Sequence, residues 1–129
     1  MFQKTQTPNA PQAIGPYSQA IVDGEYIYTS GQIALDPATG AVVGEDIVGQ
    51  THRVCQNLSA VLTASGGSLE TVIKTVCYLS DINNFAQFNE VYAEYFTSKP
   101  ARSCVEVANL PKNVLVEIDV IAKKENAPS

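Results

Sequence analysis

"VLVEIDVIA", residues 114–122, alternates with period two: Val114, Val116, Ile118 and Val120 share one side, and Leu115, Glu117, Asp119 and Ile121 share the other. Such alternation marks a strand with one face in a core. Just upstream, "RSCVEVA", residues 102–108, sets Val105 and Val107 against Arg102, Cys104 and Glu106. With only "NLPKN" between them, the two segments read as a terminal hairpin. If both valine faces meet helices, Arg102 and Cys104 fall on the same side of the sheet as Glu117 and Asp119, because a one-residue slip would bury the charges.

Working towards the N-terminus, Asn83 is placed to cap a helix whose Phe85, Phe88, Tyr92, Tyr95 and Phe96 form one stripe, with Pro100 as its stop. "TVIKTVCYLS" before it is β-branched, short and continuously apolar, the signature of a central strand. Ile47, Thr51, Val54, Leu58, Val61, Leu62 and Ser65 recur at helical spacing between Asp46, a candidate N-cap, and Gly66, a stop. Asp23-Gly24 supplies a hairpin turn between "SQAIV" and "EYIYTSGQI", so the chain is expected to open with a β-hairpin. The order hairpin, helix, strand, helix, hairpin predicts an α+β domain, a mixed sheet with both helices packed on one face. One domain spanning 1–129 is expected, with 123–129 as a frayed tail.

Charge on an open sheet face is ordinarily a surface ion network of little energetic value. Here the same face carries Leu115 and Ile121, joined by either Tyr26 and Tyr28 or Ile27 and its neighbours. A surface so mixed calls for cover, most economically by identical subunits around a closed axis. Thirteen acidic against eight basic residues repel phosphate backbones and anionic membranes, so nucleic acid and membrane are not expected partners. Cys55, Cys77 and Cys104 are odd in number, widely spaced and without a ligand cluster, which points away from disulfides and zinc and towards a reducing compartment. With no leader-like or membrane-spanning run, the cytoplasm is the expected location.

"IGPYSQA" (14–20), "TSGQIALDPATG" (29–40), "FNEVYAEYF" (88–96), "PARSCVEVANLPKN" (100–113) and "VEIDVIA" (116–122) together resemble the RidA/YjgF family of enamine/imine deaminases, over nearly the whole chain and in the family's order. The resemblance implies a fold similar to AroH-type chorismate mutase, assembled as a homotrimer around a central β-barrel with clefts between subunits. It implies hydrolysis of 2-iminobutanoate and 2-iminopropanoate, with their enamine tautomers, to 2-keto acids and ammonium, without metal or organic cofactor. By position, the carboxylate-binding arginine falls on Arg102 and the water-positioning acid on Glu117; Tyr17, Ser30, Gly31, Asn89 and Cys104 fall on the remaining substrate-binding positions. "FTSKPARS" is shorter than the family's usual segment, and Asp119 stands where glutamate is more familiar.

The residue types suit that chemistry. A guanidinium grips a carboxylate with two parallel donors, and a carboxylate beside the imine carbon can orient water and take its proton. Cys104 is pulled both ways, its thiolate favoured by Arg102 and disfavoured by Glu117, which leaves packing and nucleophilic roles both open. Ser30 serves equally as a turn residue and Asn89 as a helix-to-loop anchor. His52, off the apolar stripe of its helix, is read as solvated. The rival readings are a ribonuclease or translation inhibitor, and a non-catalytic small-carboxylate-binding or chaperone-like module.

Overall fold

The computed structural model describes residues 2–125. Its strands are β1 (Gln3–Thr5), β2 (Ala20–Asp23), β3 (Tyr26–Thr29), β4 (Val72–Leu79), β5 (Ala101–Glu106) and β6 (Val116–Lys123). Two helices, α1 (Ile47–Ser65) and α2 (Phe85–Tyr95), flank β4 in sequence. The strands form one six-stranded sheet in the order β1-β2-β3-β6-β4-β5, antiparallel except for β4 with β5. The expected α+β class, with a mixed sheet carrying two helices on one face, is what the chain forms.

Helix α1 has the expected ends. Asp46 Oδ1 accepts from the Gly49 N–H at 2.8 Å, satisfying one of the orphan donors of the first turn. Gly66 takes the left-handed conformation (φ 91°) and its N–H returns to the last turn. All seven residues of the α1 stripe are buried. The apolar ones pack with Phe88 and Tyr92 from α2, and with Phe96 just beyond it, against Ile27, Cys77, Leu79, Val116, Ile118 and Val120 of the sheet.

Several expectations are corrected. The last two strands are not a hairpin: β5 lies parallel to β4 at the sheet's edge, and β6 inserts between β3 and β4. The reason is the β4-α2-β5 crossover, which returns the chain beside β4 and leaves the central slot to β6. Asp81, rather than Asn83, caps the entry to α2, its side chain accepting from Asn83 N–H at 2.9 Å and opening a 3₁₀ turn at Ile82–Asn84. The helix ends at Tyr95, well before Pro100. The first hairpin turns through Gly24-Glu25, since Asp23 pairs with Tyr26, and it is preceded by the unforeseen short strand β1.

The tail was expected to fray from 123, but Lys123 pairs with Tyr26, and the Lys124 and Glu125 N–H groups bond Glu25 and Gly66 carbonyls at 2.7 and 2.8 Å. The rest of that tail, 126–129, lies outside the described residues. His52, expected in solvent, is only partly exposed, and its Nδ1 lies 2.8 Å from Tyr95 Oη across the helix pair.

Removing the α1 cap by Asp46→Ala should cost about 1 kcal/mol, read as a lowered urea midpoint at unchanged slope. A midpoint equal to that of the unmodified chain would show the cap to be idle.

Candidate functional site

The residues singled out from the sequence fall into two groups on opposite faces of the sheet. Arg102 pairs with Thr75 and Cys104 with Cys77, and both partners are fully buried on the helix-facing side. Glu117 pairs with Tyr78 and Asp119 with Val76, which alternate with those buried positions and so point the other way. The convergence of Arg102 and Cys104 with Glu117 and Asp119 on one face is therefore overturned within a single chain. Val105, expected under the helices, is instead 45% exposed. A valine at the sheet's edge need not face the core, because β5 has a neighbour on one side only and α2 covers Arg102 instead.

In the first group, α2 builds a cradle for a guanidinium. Phe85, Asn89 and Tyr92 stand at i, i+4 and i+7, one face of a helix. Arg102 Nη1 donates to Asn89 Oδ1 at 2.6 Å, and its Cζ lies 4.7 Å from the Tyr92 ring centre and 5.5 Å from that of Phe85. Contacts of this kind each add about 0.5–1 kcal/mol or more where water is excluded. Tyr92 is tied down in turn by a 2.8 Å bond between its Oη and Thr75 Oγ1. A cavity of about 670 Å³ opens here, lined by Asn89, Tyr92, Phe96, Lys99 and Arg102 among others.

Burial raises the Cys104 thiol above its ordinary pKa, with Arg102 pulling only partly the other way. Cys77 beside it is pushed up to about 12, first by burial. A protonated thiol packed against the core fits the packing role for Cys104 and disfavours the nucleophilic one.

In the second group, an antiparallel bridge between Gln32 and Ile118, with N–H···O distances of 2.9 and 3.1 Å, sets Gly31 against Glu117. The approach is so close that a Cβ on Gly31 would lie 2.8 Å from Glu117 Cδ, and any larger residue would have to displace the Glu117 carboxylate. Tyr17, Gly31 and Glu117 line a cavity of about 120 Å³ with Gln12, Gln19 and Pro111. The Ser30 hydroxyl is spent locally, donating to the Ser18 carbonyl at 2.5 Å, as a turn residue would.

Two buried amides that the sequence did not single out hold this loop. Asn57 Nδ2 donates to the Ile33 and Leu35 carbonyls at 3.1 and 3.0 Å. Gln19 accepts from Thr7 N–H at 2.7 Å and donates to the Pro11 carbonyl at 2.8 Å. For Asn57 the available signal was a polar residue beside the apolar stripe of α1, since a buried amide must be satisfied; Gln19, in the loop before β2, carried none. Phe85 and Tyr92 were read only as core, although their spacing with Asn89 was visible.

Glu117 is raised above the usual carboxylate range by burial and then by the charge of Asp119. Asp119 is also raised by burial, although a 3.1 Å bond from Tyr78 Oη lowers it in part. Tyr26 and Tyr28 share this open face while Ile27 is fully buried, which settles the alternative the sequence left. Leu115 precedes the strand and packs partly against the core. The first group can grip a carboxylate, and the second can hold or pass a proton beside a glycine backbone.

A family model described as endoribonuclease L-PSP matches residues 7–124. A RutC family protein of Pyrococcus horikoshii is 58% identical over 120 residues, 92% of this chain and 95% of the relative. A Salmonella typhimurium protein named 2-iminobutanoate/2-iminopropanoate deaminase is 45% identical over 126 residues, 95% of this chain and 98% of the relative. Among solved structures, E. coli TdcF with bound serine superimposes with a TM-score of 0.90 at 40% identity, covering 95% of this chain and 99% of that one.

A carboxylate whose folded pKa is raised contributes its full stability below the unfolded value and loses it as pH rises through the folded one. Glu117→Gln should therefore raise the urea midpoint near pH 7 and lose that advantage as pH falls below the ordinary carboxylate range. A variant equally stabilised at both pH values would contradict the burial of that charge.

Proposed function

We propose that this chain, which belongs to the RidA/YjgF family, hydrolyses 2-iminobutanoate, 2-iminopropanoate and their enamine tautomers to 2-keto acids and ammonium. The observation that carries this reading is the Arg102 cradle. Asn89 takes one Nη1 proton and two rings cover the guanidinium, which leaves donors to meet a planar carboxylate in parallel. The similarity to the Salmonella deaminase supports the choice of substrate, and the serine held by TdcF is another small amino-acid carboxylate.

Because Arg102 and Glu117 lie on opposite faces of one sheet, the working site needs two copies of the chain. Arg102, Asn89 and Cys104 come from one copy, and Tyr17, Ser30, Gly31 and Glu117 from the next. A homotrimer with three such clefts also covers the open face, where Tyr26, Tyr28 and Ile121 accompany the two acids. The assembly and the residue roles are proposals of this reading.

In the reaction, Arg102 fixes the carboxylate so that the imine carbon faces Glu117 of the second copy. Glu117 orients a water and accepts its proton as the C–O bond forms and the C=N electrons move to nitrogen. That proton passes to the nitrogen. Because the imine enters protonated, the nitrogen is then –NH3+; the C–N bond breaks as Glu117 takes the hydroxyl proton, the oxygen becomes the keto oxygen, and neutral ammonia leaves to be protonated in water. A carboxylate raised towards neutral pH is a better base than an ordinary one. Protonated imines are already electrophilic, so placing water and substrate supplies the acceleration.

The family model's description raises a second reading, cleavage of RNA. A net charge of −5 works against it, because a phosphate backbone is held by clustered cations. RNA cleavage that survives Arg102→Ala while imine hydrolysis is lost would assign the two activities to different places.

Added to a threonine dehydratase reaction, the protein should speed 2-ketobutyrate release, with Arg102→Ala and Glu117→Gln each losing about 100-fold or more in kcat/KM. Mixed in equal amounts and reassembled, those two inactive chains should recover about a quarter of the activity, the fraction of sites drawing both intact halves from different copies. No recovery from a properly assembled mixture would place both residues in one chain's site. The acid limb of kcat/KM should lie above the ordinary carboxylate range and move to lower pH in Asp119→Asn, where the neighbouring charge is gone. A limb that stays in place would exclude Glu117 as the base.

A further inference from the structure

The cavity over Arg102 holds more cationic chemistry than a monocarboxylate uses. Within one copy its lining includes two cations, Arg102 and Lys99, and no acid, in a chain whose net charge is −5; the second copy of the proposed assembly adds Glu117 at the reacting end. A 2-imino acid with an apolar tail engages Arg102 and leaves Lys99 facing a methyl group. Lys99 is also an expensive choice for its place. Its φ of 56° is left-handed, a conformation glycine or asparagine adopts more readily, and the residue before a proline is steered away from helical regions. A turn that serves only to carry the chain from α2 into β5 needs no long cation there.

We propose that the site takes 2-imino dicarboxylates, Arg102 holding the carboxylate beside the imine and Lys99 the distal one. The proposal rests on the hydrolase reading above and deepens it. Lys99 and Arg102 are separated by at most about 10 Å of extended chain, and both side chains are long. Two such heads can straddle a four- or five-carbon diacid. Lys99 supplies a point charge on a flexible stem, suited to a distal carboxylate whose position varies with chain length, while Arg102 supplies the planar fork that fixes the reacting end. Pro100 and Ala93 line the same cavity and offer apolar surface to the methylenes. Glu70 reaches the rim, accepting from Thr97 Oγ1 at 3.2 and 3.3 Å, and its charge opposes a dianion at the entrance.

The experiment compares 2-iminobutanoate with 2-iminoglutarate, each generated in the assay by an amino-acid oxidase, for the unmodified chain, Lys99→Met and Lys99→Arg. In parallel, the stable products 2-oxobutanoate and 2-oxoglutarate are titrated calorimetrically. The dicarboxylate should be favoured by about tenfold in kcat/KM, the scale of one charge-assisted contact. That ratio should collapse towards unity in Lys99→Met and return in Lys99→Arg. Glu70→Gln should widen it. A ratio at or below unity in the unmodified chain, or one that Lys99→Met leaves in place, overturns the proposal. If neither imine is hydrolysed, the hydrolase reading falls and the titration decides the inference alone. Tighter binding of 2-oxoglutarate, lost in Lys99→Met, upholds the two-cation site, and equal affinity for the two products refutes it.

Discussion

The parallel pairing of β4 with β5 is the constraint on which the rest depends. It sets Arg102 opposite Thr75 and so beneath α2, where Phe85, Asn89 and Tyr92 close around the guanidinium. A cation at the margin of a core is tolerable when its flat faces are covered and its donors can find acceptors; α2 covers the faces and meets one donor through Asn89, leaving the others for a ligand. Had β5 paired with β6, Arg102 would stand on an open face as a solvated charge, able to find anions but not to orient them.

The same pleat that hides Arg102 under α2 sends Glu117 to the opposite side. There the Gln32–Ile118 bridge brings Gly31 against it, and buried amides of Asn57 and Gln19 hold the surrounding loops. On the proposed reading the chain carries two half-sites with complementary abilities, one to grip a carboxylate and one to manage a proton. In the proposed assembly their separation would give self-association a chemical purpose as well as a hydrophobic one. The tyrosines and isoleucine of the open face supply an apolar drive, and the split site supplies the reason that assembly and activity would be coupled.

Much of this was legible before any coordinates. Helix α1 was readable to the residue, because its stripe, its Asp46 cap and its Gly66 stop all express local physics. So was the buried face of β6, where strict alternation leaves no choice. The motifs pointing to Arg102, Glu117, Gly31, Asn89 and Tyr17 named residues that the fold gathers into two cavities. The cap of α2, its stop and the turn of the first hairpin were misplaced by a few residues, errors of local detail; three larger ones share a cause. The hairpin of the last two strands, the face of Val105 and the solvation of His52 all depended on which distant element lies alongside, and nothing within a few residues encodes that.

The sequence by itself determined both helices, the strands apart from β1, the apolar faces of α1 and β6 and the chemical identity of the candidate groups, since propensity, capping and period are properties of short stretches. Only the tertiary structure decided which side of the sheet each group occupies and what surrounds it. Strand order is set by the crossover through α2 and by how β6 fills the slot beside β4, a choice among long-range pairings that many local patterns satisfy equally. Because side chains alternate with period two, that choice of neighbour is what sets Arg102 and Glu117 on opposite faces of the sheet.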